Sequence, residues 1–190
     1  MKVLAINGSA RKNGNTSLLI GKVFEELRKQ NIECEEIQLA GQSVHGCKAC
    51  GVCSVKKNKR CSTEDIVNDC IAKMIEADGI ILGSPVYVTD VSSEMKALID
   101  RTCLVSRAND NFLRRKIGAA VIAVRRGGAI HAFDTINHFF TISEMIVVGS
   151  SYWNFAFGRE IGEVTGDKEG MQTMKVLGEN MAWLLKKVAY

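Results

Sequence analysis

Three uninterrupted apolar runs, Val3-Leu4-Ala5-Ile6, Ile80-Ile81-Leu82 and Ile117 to Val124, constrain the fold more than any other feature of the chain. A strand with one wet face alternates apolar and polar residues, so runs without alternation belong to strands covered on both faces. Helix-like segments separate the runs. Thr16 to about Lys29 carries Leu18, Leu19, Val23, Phe24 and Leu27 at helical spacing, and Ser62-Thr63-Glu64-Asp65 provides a helix cap with acids in the first turn, before a helix to about Glu76. Further helices are expected from Ser92 or Ser93, over Ala129 to Ile142, and from Gly170 to Val188. Asn31 to Leu39 and Met145 to Val148 read as two more strands, and Tyr152 to Gly166 as an aromatic, glycine-rich loop. Strand and helix alternating five times specify a parallel sheet with helices on both faces. Right-handed crossovers and a single mononucleotide site favour the strand order 2-1-3-4-5. At 190 residues the chain is expected to form one domain.

The first strand breaks into Asn7-Gly8-Ser9-Ala10-Arg11-Lys12-Asn13-Gly14-Asn15-Thr16 before its helix begins near Asn15 or Thr16. Gly8 and Gly14 let the backbone approach a ligand, and the helix start presents unpaired N–H groups and the positive end of its dipole. Ser9, Arg11, Asn15 and Thr16 add polar and cationic groups, which together suit a phosphate. Neither the Walker pattern nor the G-x-G-x-x-G fingerprint is present, so a mononucleotide fits better than a nucleoside triphosphate or a dinucleotide. In the order 2-1-3-4-5 the ends of strands one, three and four converge, bringing Ser9 to Thr16, Ser84-Pro85-Val86-Tyr87 and Arg125-Arg126-Gly127-Gly128 to one place.

The net charge of +4 is spread along the chain, and the short basic stretch Lys56 to Arg60 carries no nucleic-acid signature. No apolar run approaches a membrane span, and the first residues read as a strand rather than a leader, so a cytoplasmic protein is expected. Seven cysteines, an odd number, argue for thiols that are reduced, buried or bound to metal rather than a disulfide scaffold. Cys34, Cys70 and Cys103 fall in strand and helix patterns and read as buried hydrophobes. Cys47, Cys50 and Cys53, spaced by three, and Cys61 after them lie in an irregular segment from about 40 to 62. Four thiolates so placed suit a 4Fe-4S cluster, with structural zinc as the competing occupant and free redox thiols as a third reading. His45, His131 and His138 are isolated, which leaves no hydrolytic grouping. Asp100 and Arg101 read as an interface pair or as solvated helix residues, without a catalytic role.

The segments Asn7-Gly8-Ser9-Ala10-Arg11 with Gly14-Asn15-Thr16, Ala77 to Tyr87, and Lys96-Ala97-Leu98-Ile99-Asp100-Arg101 resemble the flavodoxin-like NAD(P)H-dependent FMN reductase superfamily. Within it, the cysteine cluster resembles that of the iron-sulfur flavoproteins. The resemblance spans nearly the whole chain and implies a flavodoxin-like three-layer sandwich. It implies FMN phosphate on Ser9, Arg11, Gly14, Asn15 and Thr16, and a flavin ring lined by Ser84, Pro85, Val86 and Tyr87 and closed by Arg125, Arg126, Gly127 and Gly128. Tyr87 either stacks on the ring or packs as a loop aromatic. The resemblance further implies a 4Fe-4S cluster on Cys47, Cys50, Cys53 and Cys61 and a homodimer or homotetramer. The expected function is electron transfer from a ferredoxin-like donor through the cluster to FMN and on to a small-molecule acceptor such as a quinone, dioxygen or peroxide, with Lys56 to Arg60 guiding the donor. Two other functions compete: an NAD(P)H-dependent FMN or quinone reductase whose cysteine loop is empty or holds zinc, and a non-catalytic redox sensor.

Overall fold

A computed structural model describes residues 1–188. Strands β1 (Lys2–Asn7), β2 (Glu33–Gln38), β3 (Gly79–Pro85), β4 (Ile117–Val124) and β5 (Ile146–Val147) form a parallel sheet in the order β2-β1-β3-β4-β5. This is the expected flavodoxin-like arrangement. Side chains along each central strand point alternately to opposite faces. Leu4, Ile6, Ile80, Leu82, Ala120 and Ile122 therefore pack on one side, and Val3, Ala5, Ile81, Ala119 and Val121 on the other. Helices α1 (Asn15–Lys29) and α6 (Lys168–Val188) cover the second face. On the first face lie α3 (Ile66–Glu76), α4 (Ser93–Ala108) and α5 (Ala129–Ile142), while a five-residue α2 (Val52–Lys56) sits within the cysteine segment. Burial on both faces explains the absence of polar alternation in β1, β3 and β4.

The aromatic segment differs from expectation. Phe155–Phe157 forms a sixth strand, β6, pairing with Ile122–Val124 at the far end of the β4 edge, while β5 pairs with Ile117 and Gly118 at the near end. A single sheet position is thus filled by two short parallel pieces, and a 3₁₀ turn at Glu163–Gly166 follows. The cap of α3 also differs. Asp65 alone is the cap, accepting from the Val67 N–H, so Glu64 precedes the helix instead of lying in its first turn.

Beyond β3, Tyr87 and Asp90 exchange backbone hydrogen bonds of 2.8 and 3.0 Å around a tight turn. Its central residues, Val88 and Thr89, have φ of 48° and 66°. Such left-handed turns favour Asn-Gly, and β-branched residues there are strained. Replacing the pair by Asn and Gly is expected to stabilise the protein by about 1–2 kcal/mol, read as a rise in urea midpoint without a change in slope.

Candidate functional site

The loops after β1, β3 and β4 meet at the carboxyl edge of the sheet, where strand order reverses. They enclose a cavity of about 250 Å³ lined by Ser9, Arg11, Asn15, Thr16, Pro85, Val86, Tyr87, Ala123, Arg125, Gly158 and Arg159. Its floor is prepared before any ligand arrives. The Ser9 N–H donates to the Asn7 side chain at 2.9 Å, the Arg11 N–H donates to Ser9 Oγ at 3.2 Å, and Gln38 Nε2 donates to the Arg11 carbonyl at 2.8 Å. Gly14 caps α1 with no side chain bound to the first turn. The free N–H groups there and the positive helix end favour an anion. Among the described residues three arginines and no carboxylate line the cavity, whereas Pro85, Val86, Tyr87 and Ala123 make one wall apolar. A flat, largely apolar ring carrying a phosphate matches both halves.

Eight of the residues singled out in the sequence line this space, and five lie around it. Gly14 is the helix cap, and Ser84 is buried beneath, donating to the Pro85 carbonyl and accepting from the Ser92 N–H. Arg126 and Gly127 are exposed, and Gly128 caps α5 at φ 86°, where a side chain would meet the Thr89 backbone at 2.8 Å. Sequence reasoning missed Ala123, near the end of β4, and it missed Gly158 and Arg159. The last two arrive because β6 continues over the β1 loop, where Arg11 donates to the Arg159 carbonyl and the Asn15 amide bonds the Glu160 carbonyl and the Gly162 N–H. Both ends of the Asn15 amide are thereby engaged in fastening that loop.

A second cavity, also of about 250 Å³, is lined by all four clustered cysteines, Cys47, Cys50, Cys53 and Cys61, with Arg101, Leu104 and Val105 of α4 behind them. Ala49 and Gly51 adopt left-handed φ of 50° and 70°, which winds the Cys47–Cys53 segment around the space. Gly51 is the residue that takes this conformation without strain. Among the described residues no three Cys, His, Asp or Glu side chains are arranged to hold a metal ion.

Both ends of the cysteine segment are fastened to buried groups. The Arg101 and Asp65 side chains are 0% and 1% exposed and pair at 2.6 Å. Asp65 also accepts from the His45 N–H, and Asn68 of α3 accepts from the Cys61 N–H at 2.8 Å while donating to the Cys61 and Thr63 carbonyls. Burial alone would raise the Asp65 carboxyl, but Arg101 and the His45 and Val67 N–H groups hold it below its ordinary value. Burial would likewise lower the Arg101 guanidinium, and Asp65 and then Cys61 hold it above its ordinary value. The expectation of Arg101 as a solvated or interface residue is therefore corrected. It is fully buried because it lies on the apolar stripe of α4, three residues after Leu98 and four before Val105.

The remaining thiols are set apart by their surroundings. Cys70 is fully buried and its thiol is pushed up to about 12, first by desolvation. Cys34 and Cys103 are half-buried and also raised, mainly by desolvation. Cys50 is exposed, and its thiol is lowered by hydrogen bonds to Ser62 and then to the Val52 N–H. Cys50, through its lowered thiol, and Cys47, through its exposure, are expected to be modified first by iodoacetamide in metal-free protein. Cys70 should react only on unfolding. Peptide mapping of short exposures checks this, and early labelling of Cys70 would contradict it.

Comparison with known proteins follows these features closely. Residues 1–160 match the NADPH-dependent FMN reductase family. An iron-sulfur flavoprotein of Methanocaldococcus jannaschii is 38% identical over 99% of this chain and 99% of its own, and one of Methanosarcina thermophila is 34% identical over 99% and 97%. Among solved structures, RosB with bound 8-demethyl-8-formylriboflavin-5'-phosphate superposes with a TM-score of 0.80 at 18% identity, covering 99% of this chain and 80% of its own. A flavodoxin from the domain Archaea gives a TM-score of 0.65 at 18% identity, covering 98% and 99%, which supports the fold alone. Fold, loop architecture and full-length similarity agree: the chain belongs to the NADPH-dependent FMN reductase family, within its iron-sulfur flavoprotein branch.

Proposed function

We propose that the protein is a redox flavoprotein that binds FMN in the arginine-lined cavity and a 4Fe-4S cluster in the cysteine cavity, coupling a ferredoxin-like donor to a small-molecule acceptor. The observation that carries this reading is that four cysteines, Cys47, Cys50, Cys53 and Cys61, line one shared cavity. A single zinc ion needs every sulfur about 2.3 Å from one centre, whereas a cluster spreads its thiolate contacts over several irons and needs more room. The donor set is all thiol, as such clusters require.

When bound, FMN supplies one- and two-electron chemistry and the cluster supplies one-electron chemistry. The chain supplies position and field. Ser9, Arg11, Thr16 and the α1 N-terminus would hold the phosphate, Pro85, Val86 and Tyr87 the flavin ring, and Arg125 and Arg159 positive charge along the rim. Lys56, Lys57 and Lys59 stand exposed beside the cysteine cavity, while Arg60 is paired with Glu64. An acidic donor would be drawn to these lysines. Changing all three to Gln is expected to slow reduction by a ferredoxin-like donor about tenfold at low salt and to flatten its salt dependence. An unchanged rate and salt dependence in stopped-flow measurements would contradict this assignment.

The second reading, an NAD(P)H-dependent reductase whose cysteine loop is empty or holds zinc, is favoured by the family match over residues 1–160. Rapid flavin reduction by NADPH without a protein donor would establish it. A homodimer is also part of the proposal and is tested by sedimentation of the flavin-loaded protein.

A further inference from the structure

Among the described groups that the proposed chemistry does not use, the buried guanidinium of Arg101 has the most unusual set of partners. Its Nε donates to Cys61 Sγ at 3.3 Å, one terminal nitrogen donates to the His45 carbonyl at 3.1 Å and to both Asp65 oxygens, and the other donates to the Thr63 carbonyl at 2.7 Å. One planar group thus joins the chain before Cys47 to the chain after Cys61, from a helix outside the loop. A lysine offers no such fork.

We propose that Arg101 is the positioning residue of the cysteine site, fixing the Cys61 sulfur toward the cavity and raising the reduction potential of the cluster held there. This rests on the cluster reading above. Reduction adds one electron, and its negative charge is shared with the thiolate sulfurs. An N–H donated to one of those sulfurs stabilises the reduced form more than the oxidised form, and hydrogen bonds to sulfur are among the determinants of cluster potential. Asp65 offsets the net charge of Arg101, so the effect acts through the N–H directed at Cys61 rather than through long-range charge. A guanidinium that served only to close the loop would leave the potential unchanged.

The test compares cluster-loaded wild type, Arg101→Lys and the double variant Arg101→Gln with Asp65→Asn, in anaerobic redox titrations followed by electron paramagnetic resonance. The reduction equilibrium of the cluster is expected to fall about tenfold in the variants, 59 mV for a one-electron couple, with the flavin couples unmoved. Loaded variants with the wild-type potential would overturn the proposal. Should the variants take up no iron, wild-type protein with ¹⁵N-labelled arginine decides. A nitrogen coupling to the reduced cluster supports the contact, and its absence overturns it. Iron and sulfide analysis of the wild type separates this from the parent reading, because wild-type protein without four irons removes the cluster reading and this proposal with it.

Discussion

Arg101→Met is expected to cost the metal-free protein about 3–5 kcal/mol, since it leaves Asp65 charged, buried and unpaired. The companion variant, Arg101→Met with Asp65→Leu, is expected to recover only part of that loss: no charge is left to desolvate, but α3 loses its cap and the His45 and Val67 N–H groups their acceptor. Urea titrations of the wild type and both variants check the pattern. Equal losses in the single and double variants would show that the unpaired charge does not dominate. The pair also fixes a pH dependence. The folded-state pKa of Asp65 lies below the ordinary value of 3.8, so its stabilisation is complete above that value and is lost as pH falls through the lower folded value. Acid sensitivity from this pair is therefore expected below about pH 4, and Asp65→Asn should remove that component.

Arg11→Ala is expected to weaken FMN binding by about 10- to 100-fold, the loss of a charge-assisted hydrogen bond worth about 1.5–3 kcal/mol. Riboflavin, which lacks the phosphate, should bind wild type and variant alike. The difference between the two ligands makes the test specific. Arg11 also donates to the Arg159 carbonyl, so a purely structural effect would weaken both ligands together. Fluorescence quenching titrations distinguish the outcomes, and an equal loss for both flavins would contradict placement of the phosphate beside Arg11.

Much of the fold was legible because burial on both faces leaves a plain mark on a strand. Val3 to Ile6 and Ile117 to Val124 have no polar alternation because helices cover both sides of them. The cavity loops were legible for a related reason: three strand ends at a reversal of strand order must meet. β6 was not, since Phe155–Phe157 is three residues long and its conformation is set by the free edge of β4, which no local pattern reveals. Gly158 and Arg159 were missed with it. The fastening of the cysteine segment was hidden by distance along the chain. Asp65 and Arg101 are 36 residues apart, and each reads locally as an ordinary polar helix residue. The available signal was Arg101 on the apolar stripe with Leu98 and Val105, where a charge needs a buried partner.

Whether one chain holds both FMN and a 4Fe-4S cluster is read most directly from the visible absorption spectrum of protein purified without oxygen, measured with its iron, sulfide, zinc and flavin contents. Flavin bands over a broad absorbance that bleaches on reduction, with about four irons and four sulfides per chain, are expected. Flavin bands alone, or flavin with zinc in the cysteine cavity, would contradict the cluster reading and leave the NAD(P)H-dependent reductase as the function.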